Sequence, residues 1–198
     1  MANRSERLDS ICVFCGSSDA ADPTFLAAAR ALGESLAKAD LRLVYGGGGV
    51  GLMGACARAA QAAGGRVLGI IPDFLIGKER ALETVEHVVV SNMHERKMMM
   101  FEHSDAFVIL PGGIGTLEEV VELLSWRRLD LHAKPVVFYN PRNFWKTLFD
   151  CFQMTVDEHL TPPDFMRSWR VVETVEEIIP ALLAMDEPAK AEAVAGKA

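Results

Sequence analysis

Cysteine is scarce in this 198-residue chain: Cys12, Cys15, Cys56 and Cys151 are its only four. So few thiols cannot staple a chain of this size, and a disulfide scaffold is excluded. Cys12 and Cys15 have C-x-x-C spacing but fall in a strand-like run. Residues three apart on a strand face opposite sides, so they make a poor metal or redox pair. The five histidines, His87, His94, His103, His132 and His159, show no ligand spacing. No metal site and no cofactor are predicted. Long apolar runs are missing too, and none reaches the length of a membrane span. Residues Met1 to Asp9 are polar and charged, with no apolar signal core. The chain is therefore expected in the cytoplasm, without a membrane partner. An excess of basic charge is also absent: 27 acidic residues outnumber 20 basic ones, for a net charge of −7. That balance argues against nucleic acid as a partner. A bound anion must then be held by local groups rather than by the overall field.

What the chain does contain is apolar residues, glycine turns and a regular alternation. Half of its residues are apolar, enough for one domain with a full core. Strand-like runs at 10–16, 41–45, 66–71, 85–90, 106–110, 135–139 and 170–172 alternate with helix-like runs. Those helices are placed at 23–38, 55–63, 94–103, 120–126, 141–157 and 175–185. Asp22 is a fitting N-cap for the first of them, with Pro23 at its first position. The pattern predicts an α/β fold: a doubly wound, mostly parallel sheet flanked by helices, Rossmann-like in a modified form. Residues 10–186 form the expected single domain, between a tail at 1–9 and an alanine- and charge-rich tail at 187–198 expected to fray. In such sheets ligands sit beyond the carboxyl ends of the strands. Gly16-Ser17-Ser18, the turn from Gly46 to Gly49, Pro72 and the turn at Pro111 all fall there, so they are expected to share one crevice.

The richest segment is Pro111 to Glu119, a strand feeding a glycine turn that opens a helix. Gly112, Gly113 and Gly115 allow close backbone approach, Thr116 adds a hydroxyl, and the first free N–H groups of the helix favour an anion. Glu118 and Glu119 follow, read as lying in the first turn. There the helix dipole, with nearby Arg96, is expected to depress a carboxylate pKa and keep it ionised. Simple dipole complementation accounts for such glutamates equally well. Arg96 and Lys97 lie early in a predicted helix, an unfavourable place for positive charge and so a hint of function. Gly49, Gly51 and Gly54 satisfy G-x-G-x-x-G, which is a weak signal in a run of glycines. It fits NAD binding less well than a nucleotide-accommodating turn or tight helix–sheet packing. Ser17 and Ser18 are placed either to cap a helix or to bind a ligand.

The glycine turn at 46–54, MHERK at 93–97 and PGGIGTLEE at 111–119, in this order, resemble the LOG family of cytokinin-activating enzymes, formerly labelled lysine decarboxylase-like. The resemblance runs from about Ile11 to the final helix. It implies a hydrolase that cleaves the N-glycosidic bond of N6-modified adenosine 5′-monophosphates and of AMP, releasing the base and ribose 5-phosphate. It implies that Arg96 and Glu119 are catalytic. Gly112, Gly113, Gly115 and Thr116 then hold the phosphate, and Lys97, Glu118, Ser18, Gly47 and Glu79 are further substrate-binding positions. It also implies a homodimer. One stretch departs from the family pattern: Trp126-Arg127-Arg128-Leu129-Asp130 places Arg128 where plant-type members carry glutamine. The competing reading is a nucleotide- or molybdenum-cofactor-binding carrier without turnover, which needs the phosphate cradle but not the Arg96–Glu119 pair.

Overall fold

A computed structural model describes residues 8–195, with side chains described through residue 186. Of the expected N-terminal tail, only Leu8 and Asp9 fall within the described residues. Seven strands form one sheet in the order β4-β3-β2-β1-β5-β6-β7. They are β1 (Ser10–Phe14), β2 (Arg42–Tyr45), β3 (Val67–Pro72), β4 (Glu86–Val90), β5 (Ala106–Ile109), β6 (Val136–Tyr139) and β7 (Arg170–Val172). Every neighbouring pair is parallel. Among the described residues there are six α-helices, five between strands and one after β7: α1 (Pro23–Lys38), α2 (Gly51–Ala62), α3 (Met93–Glu102), α4 (Ile114–Arg128), α5 (Lys146–Asp157) and α6 (Ile178–Ala195).

The alternation of side chains along β1 divides the core. Ile11, Val13 and Cys15 face one side, packing with Leu32 and Leu36 of α1, Ala57 of α2 and Leu182 of α6. Cys12 and Phe14 face the other, with Val120 and Leu124 of α4, Phe107 and Trp145. Helices therefore cover both faces, as a central all-apolar parallel sheet requires. Burial pushes the Cys12 and Cys15 thiols well up and that of Cys56 to about 12, so all three are inert packing groups.

Several element boundaries differ from the sequence reading for physical reasons. Asp22 does cap α1, accepting from the Thr24 N–H at 2.8 Å. The helix expected from Pro141 begins only at Lys146. Arg142 and Asn143 adopt left-handed backbone, φ 53° and 58°, and the Asn140 side chain accepts from the Trp145 N–H at 2.8 Å. Helix α4 begins earlier than expected, at Ile114, directly after an extended Gly113. Helix α6 runs on to Ala195, through the segment at 187–195 expected to fray. Alanine, glutamate and lysine in that stretch are strong helix formers.

Candidate active site

The strand order turns back at β1. Strands β2 to β4 lie on one side of it, and β5 begins the other. Beyond the carboxyl ends of β1 and β5 lies a cavity of about 460 Å³. The two loops that form its floor touch: the Gly16 N–H donates to the Pro111 carbonyl at 3.1 Å. Ser17 and Ser18 line it from the β1 loop, Gly112 and Gly113 from the β5 loop, and Gly115 and Thr116 from the first turn of α4.

The N-terminus of α4 opens on this cavity with no side-chain cap. Its first N–H groups are therefore available to an anion, with Thr116, itself buried, beside them. Gly112 is required by close approach, because a Cβ there would stand 2.1 Å from Thr116 Oγ1. Gly113 and Gly115 have open space at the same point, so their lack of a side chain serves the cavity rather than packing. Gly112→Ala is accordingly expected to destabilise the fold by about 1–3 kcal/mol through overpacking. Gly115→Ala should leave stability within about 1 kcal/mol while weakening anion binding at the helix N-terminus. Urea unfolding of both variants beside titration with inorganic phosphate checks this; equal stability losses would contradict it.

Arg96 projects from the first turn of α3 into the cavity and is buried. Its Nη2 donates to the Gly46 carbonyl at 2.7 Å, and its Nε donates to the Ile70 carbonyl at 3.2 Å. Nη2 also reaches Glu79 Oε2 at 3.3 Å. Strand ends β2 and β3 thus fix the guanidinium, which answers why a cation is tolerated early in a helix. Glu79 arrives on an irregular strap that lies across the glycine turn. The Gly49 N–H donates to the Glu79 carbonyl at 2.9 Å, and Arg80 pairs with Asp19.

Glu119 lines the same cavity, and it corrects an expectation. Because α4 starts at Ile114, no acidic residue lies in its first turn, and the dipole effect fades beyond that turn. Glu119 also lines a narrow niche walled by Phe14, Phe101, Phe107 and Trp126. Burial pushes its carboxyl up to about 7, outweighing the pull of Arg96. It is therefore a proton-exchanging group near neutrality rather than a permanently ionised one.

Three positions named from the sequence do not line this cavity. Gly47 lies behind it, with φ +81° and its carbonyl 3.2 Å from His87 Nε2; a Cβ there would meet Ile71 at 2.8 Å. Its glycine serves the packing of β2 on β3. Lys97 binds Glu118 and, at 3.0 Å, Glu122, and it lines the narrow niche that Glu119 also borders. Burial opposes its charge, but the two carboxylates outweigh that and hold its pKa above the ordinary value. Glu118 is turned outward to meet it. Gly46, placed at the crevice by its strand-end position, lines the cavity and orients Arg96 through its carbonyl. The sequence reading passed over the aromatic wall of Phe25 and Phe144. Phe144 follows the left-handed Arg142–Asn143 pair, which leaves no local pattern to read.

Among the described residues no three His, Cys, Asp or Glu side chains gather as metal ligands, and no helix is long and apolar enough to cross a membrane. Among the described residues no lysine lines the cavity, so they offer no amine there for Schiff-base chemistry.

Residues 53–182 match the family model described as possible lysine decarboxylase. A probable cytokinin riboside 5′-monophosphate phosphoribohydrolase of Oryza sativa subsp. japonica is 48% identical over 158 residues, covering 79% of this chain and 70% of the relative. The chain belongs to the LOG family. A second LOG-family relative, a cytokinin riboside 5′-monophosphate phosphoribohydrolase of Arabidopsis thaliana, is 41% identical over 179 residues, covering 90% of this chain and 78% of that one. The fold reaches beyond the LOG enzymes. The molybdenum cofactor binding protein from the phototrophic bacterium Rippkaea orientalis superposes with a TM-score of 0.69 at 24% identity, covering 91% and 99% of the two chains. The Moco carrier protein from Chlamydomonas reinhardtii gives 0.66 at 24% identity, covering 90% and 98%. At that identity the likeness concerns architecture alone.

Proposed function

We propose that this LOG-family protein hydrolyses the N-glycosidic bond of N6-modified adenosine 5′-monophosphates, and of AMP, to a free base and ribose 5-phosphate. One observation carries the reading. Arg96 and Glu119 converge on the cavity that also holds the uncapped N-terminus of α4. The named activity of the relatives supports it.

In this reading the 5′-phosphate sits at Gly113, Gly115 and Thr116, and the sugar spans toward Glu119. As the bond from C1′ to the base nitrogen stretches, positive charge grows on the sugar. Ionised Glu119 stabilises that charge and takes a proton from the water whose oxygen bonds to C1′. The departing base leaves with the bonding electron pair and takes a proton from solvent, and Glu119 returns to solvent the proton it took from water. Arg96, fixed by Gly46, Ile70 and Glu79, supplies a pre-placed positive group on the opposite wall. A homodimer in the cytoplasm, without nucleic-acid partners, belongs to the same proposal.

The rival reading, a carrier, shares the cradle and the fold but has no use for the Glu119 carboxyl. Ribose 5-phosphate release from AMP and from N6-isopentenyl-AMP separates the two: binding without release favours the carrier. The 5′-phosphate is expected to be obligatory. The nucleoside lacking it should react at least about 10²-fold more slowly, since anion recognition at the cradle supplies the positioning. Comparable rates would show that the cradle serves another purpose.

A further inference from the structure

The stretch that departs from the family pattern opens on a second cavity. It measures about 440 Å³ and lies at the C-terminal end of α4, the end away from Glu119. Arg127 and Arg128 line it from the last turn of α4, and Arg167 lines it from the turn Pro163–Arg167. Asp130, Asp164 and His132 complete the lining that matters.

Elsewhere in this acidic protein five arginines are paired, while Arg30, Arg58 and Arg170 make no ion pair among the described residues. Arg42, Arg66, Arg80, Arg96 and Arg142 each hold a carboxylate. Among the described residues no ion pair is made by Arg127, Arg128 or Arg167. Arg127 is half-buried, and its Nη1 donates to the Lys134 carbonyl at 2.7 Å. Burial pushes its pKa down from the ordinary value, a cost that a bound anion would offset. The helix dipole accounts for basic residues in the last turn of α4, but not for Arg167, which comes from a separate turn. His132 adds no charge: its Nε2 lies 3.0 Å from the Leu123 carbonyl, and its Nδ1 accepts from the Lys134 N–H at 3.2 Å. Both ring nitrogens are thereby used by the neutral ring, and burial holds the pKa down.

We propose that this cavity binds a small phosphorylated sugar, with the guanidiniums of Arg127, Arg128 and Arg167 taking the phosphate and Asp130 and Asp164 accepting from sugar hydroxyls. Guanidinium forks match phosphate oxygens two at a time. The two carboxylates repel a bare phosphate but suit hydroxyl donors, so the lining selects a ligand carrying both groups. The volume lies in the range of small-molecule sites.

The test is made on the full chain, by calorimetric titration at low salt with ribose 5-phosphate as probe. The active-site cavity is expected to bind it too, giving two sites per chain. Arg128→Ala/Arg167→Ala changes exposed side chains and should retain the fold and the turnover of AMP. It should remove one site or weaken it by at least about tenfold. Unchanged stoichiometry and affinity in that variant would overturn the proposal. Asp130→Asn/Asp164→Asn, in which asparagine suits the left-handed φ of 56° at residue 130, should weaken ribose 5-phosphate at the second site but not inorganic phosphate. Inorganic phosphate binding there as tightly as the sugar phosphate would overturn the assignment of a sugar.

Discussion

Glu119→Gln is expected to lose both rate and pH dependence. The wild-type kcat/KM should rise with pH and level off above about 7, the value to which burial lifts this carboxyl, because the ionised form does the work. The amide cannot ionise. Its turnover should fall by at least about 10²-fold, the lower end for a positioned acid or base, and stay flat across the same range. Nucleotide binding should survive, since the cradle is untouched. The same substitution carries a stability signature of opposite sense. A raised carboxyl pKa favours the folded state fully below its unfolded value, and that advantage is lost as pH rises through the folded one. Above about pH 7 the variant should therefore melt no lower than wild type. Pre-steady-state and steady-state release of ribose 5-phosphate, with melting curves at two pH values, reads all of this. A variant within threefold of wild-type rate would remove Glu119 from the chemistry.

Arg96→Ala should be the most damaging single change. It strips the Gly46 and Ile70 carbonyls of a donor and leaves Glu79, whose side chain is 19% exposed, without its counter-charge. Breaking a buried pair costs about 3–5 kcal/mol, so a lower melting point is expected beside the loss of turnover. Arg96→Ala/Glu79→Gln separates the two effects, because neutralising the orphaned carboxylate should restore much of the stability and none of the activity. Arg96→Lys keeps the charge but not the fork that serves three acceptors at once, and at least about tenfold of the rate should go with it. Activity near wild type in Arg96→Lys would show that charge alone suffices there.

The sheet, its winding and the location of the crevice were legible in the sequence because periodicity and glycine turns are local signals. That Gly112 to Thr116 line the crevice was legible for the same reason: they are one unbroken segment at a strand end. The state of Glu119 was not. It depends on where α4 begins, on Trp126 of the same helix, and on Phe14, Phe101 and Phe107, which reach it from three other elements. Glu119 and Glu122 lie on the same helix less than one turn apart, yet one lines the cavity and the other binds Lys97. Neighbours in space, not position in the turn, decide between them. Gly47 was misplaced because adjacent glycines in a turn look alike in sequence, while only the backbone shows which one borders the cavity.

The pairing of β1 with β5 has a consequence for how the protein acquires its activity. Asp105 Oδ2 accepts from the Asp9 N–H, the Ser10 N–H and the Ser10 hydroxyl, pinning the strands across 95 positions of chain. Contacts so distant in sequence close late, because a long loop must be ordered before they repay it. The glycine turn at 112–116 and Glu119 stand beside the β1 loop only where β5 is paired with β1. Turnover therefore needs the completed sheet, and on refolding the recovery of activity is expected to lag the recovery of helical signal.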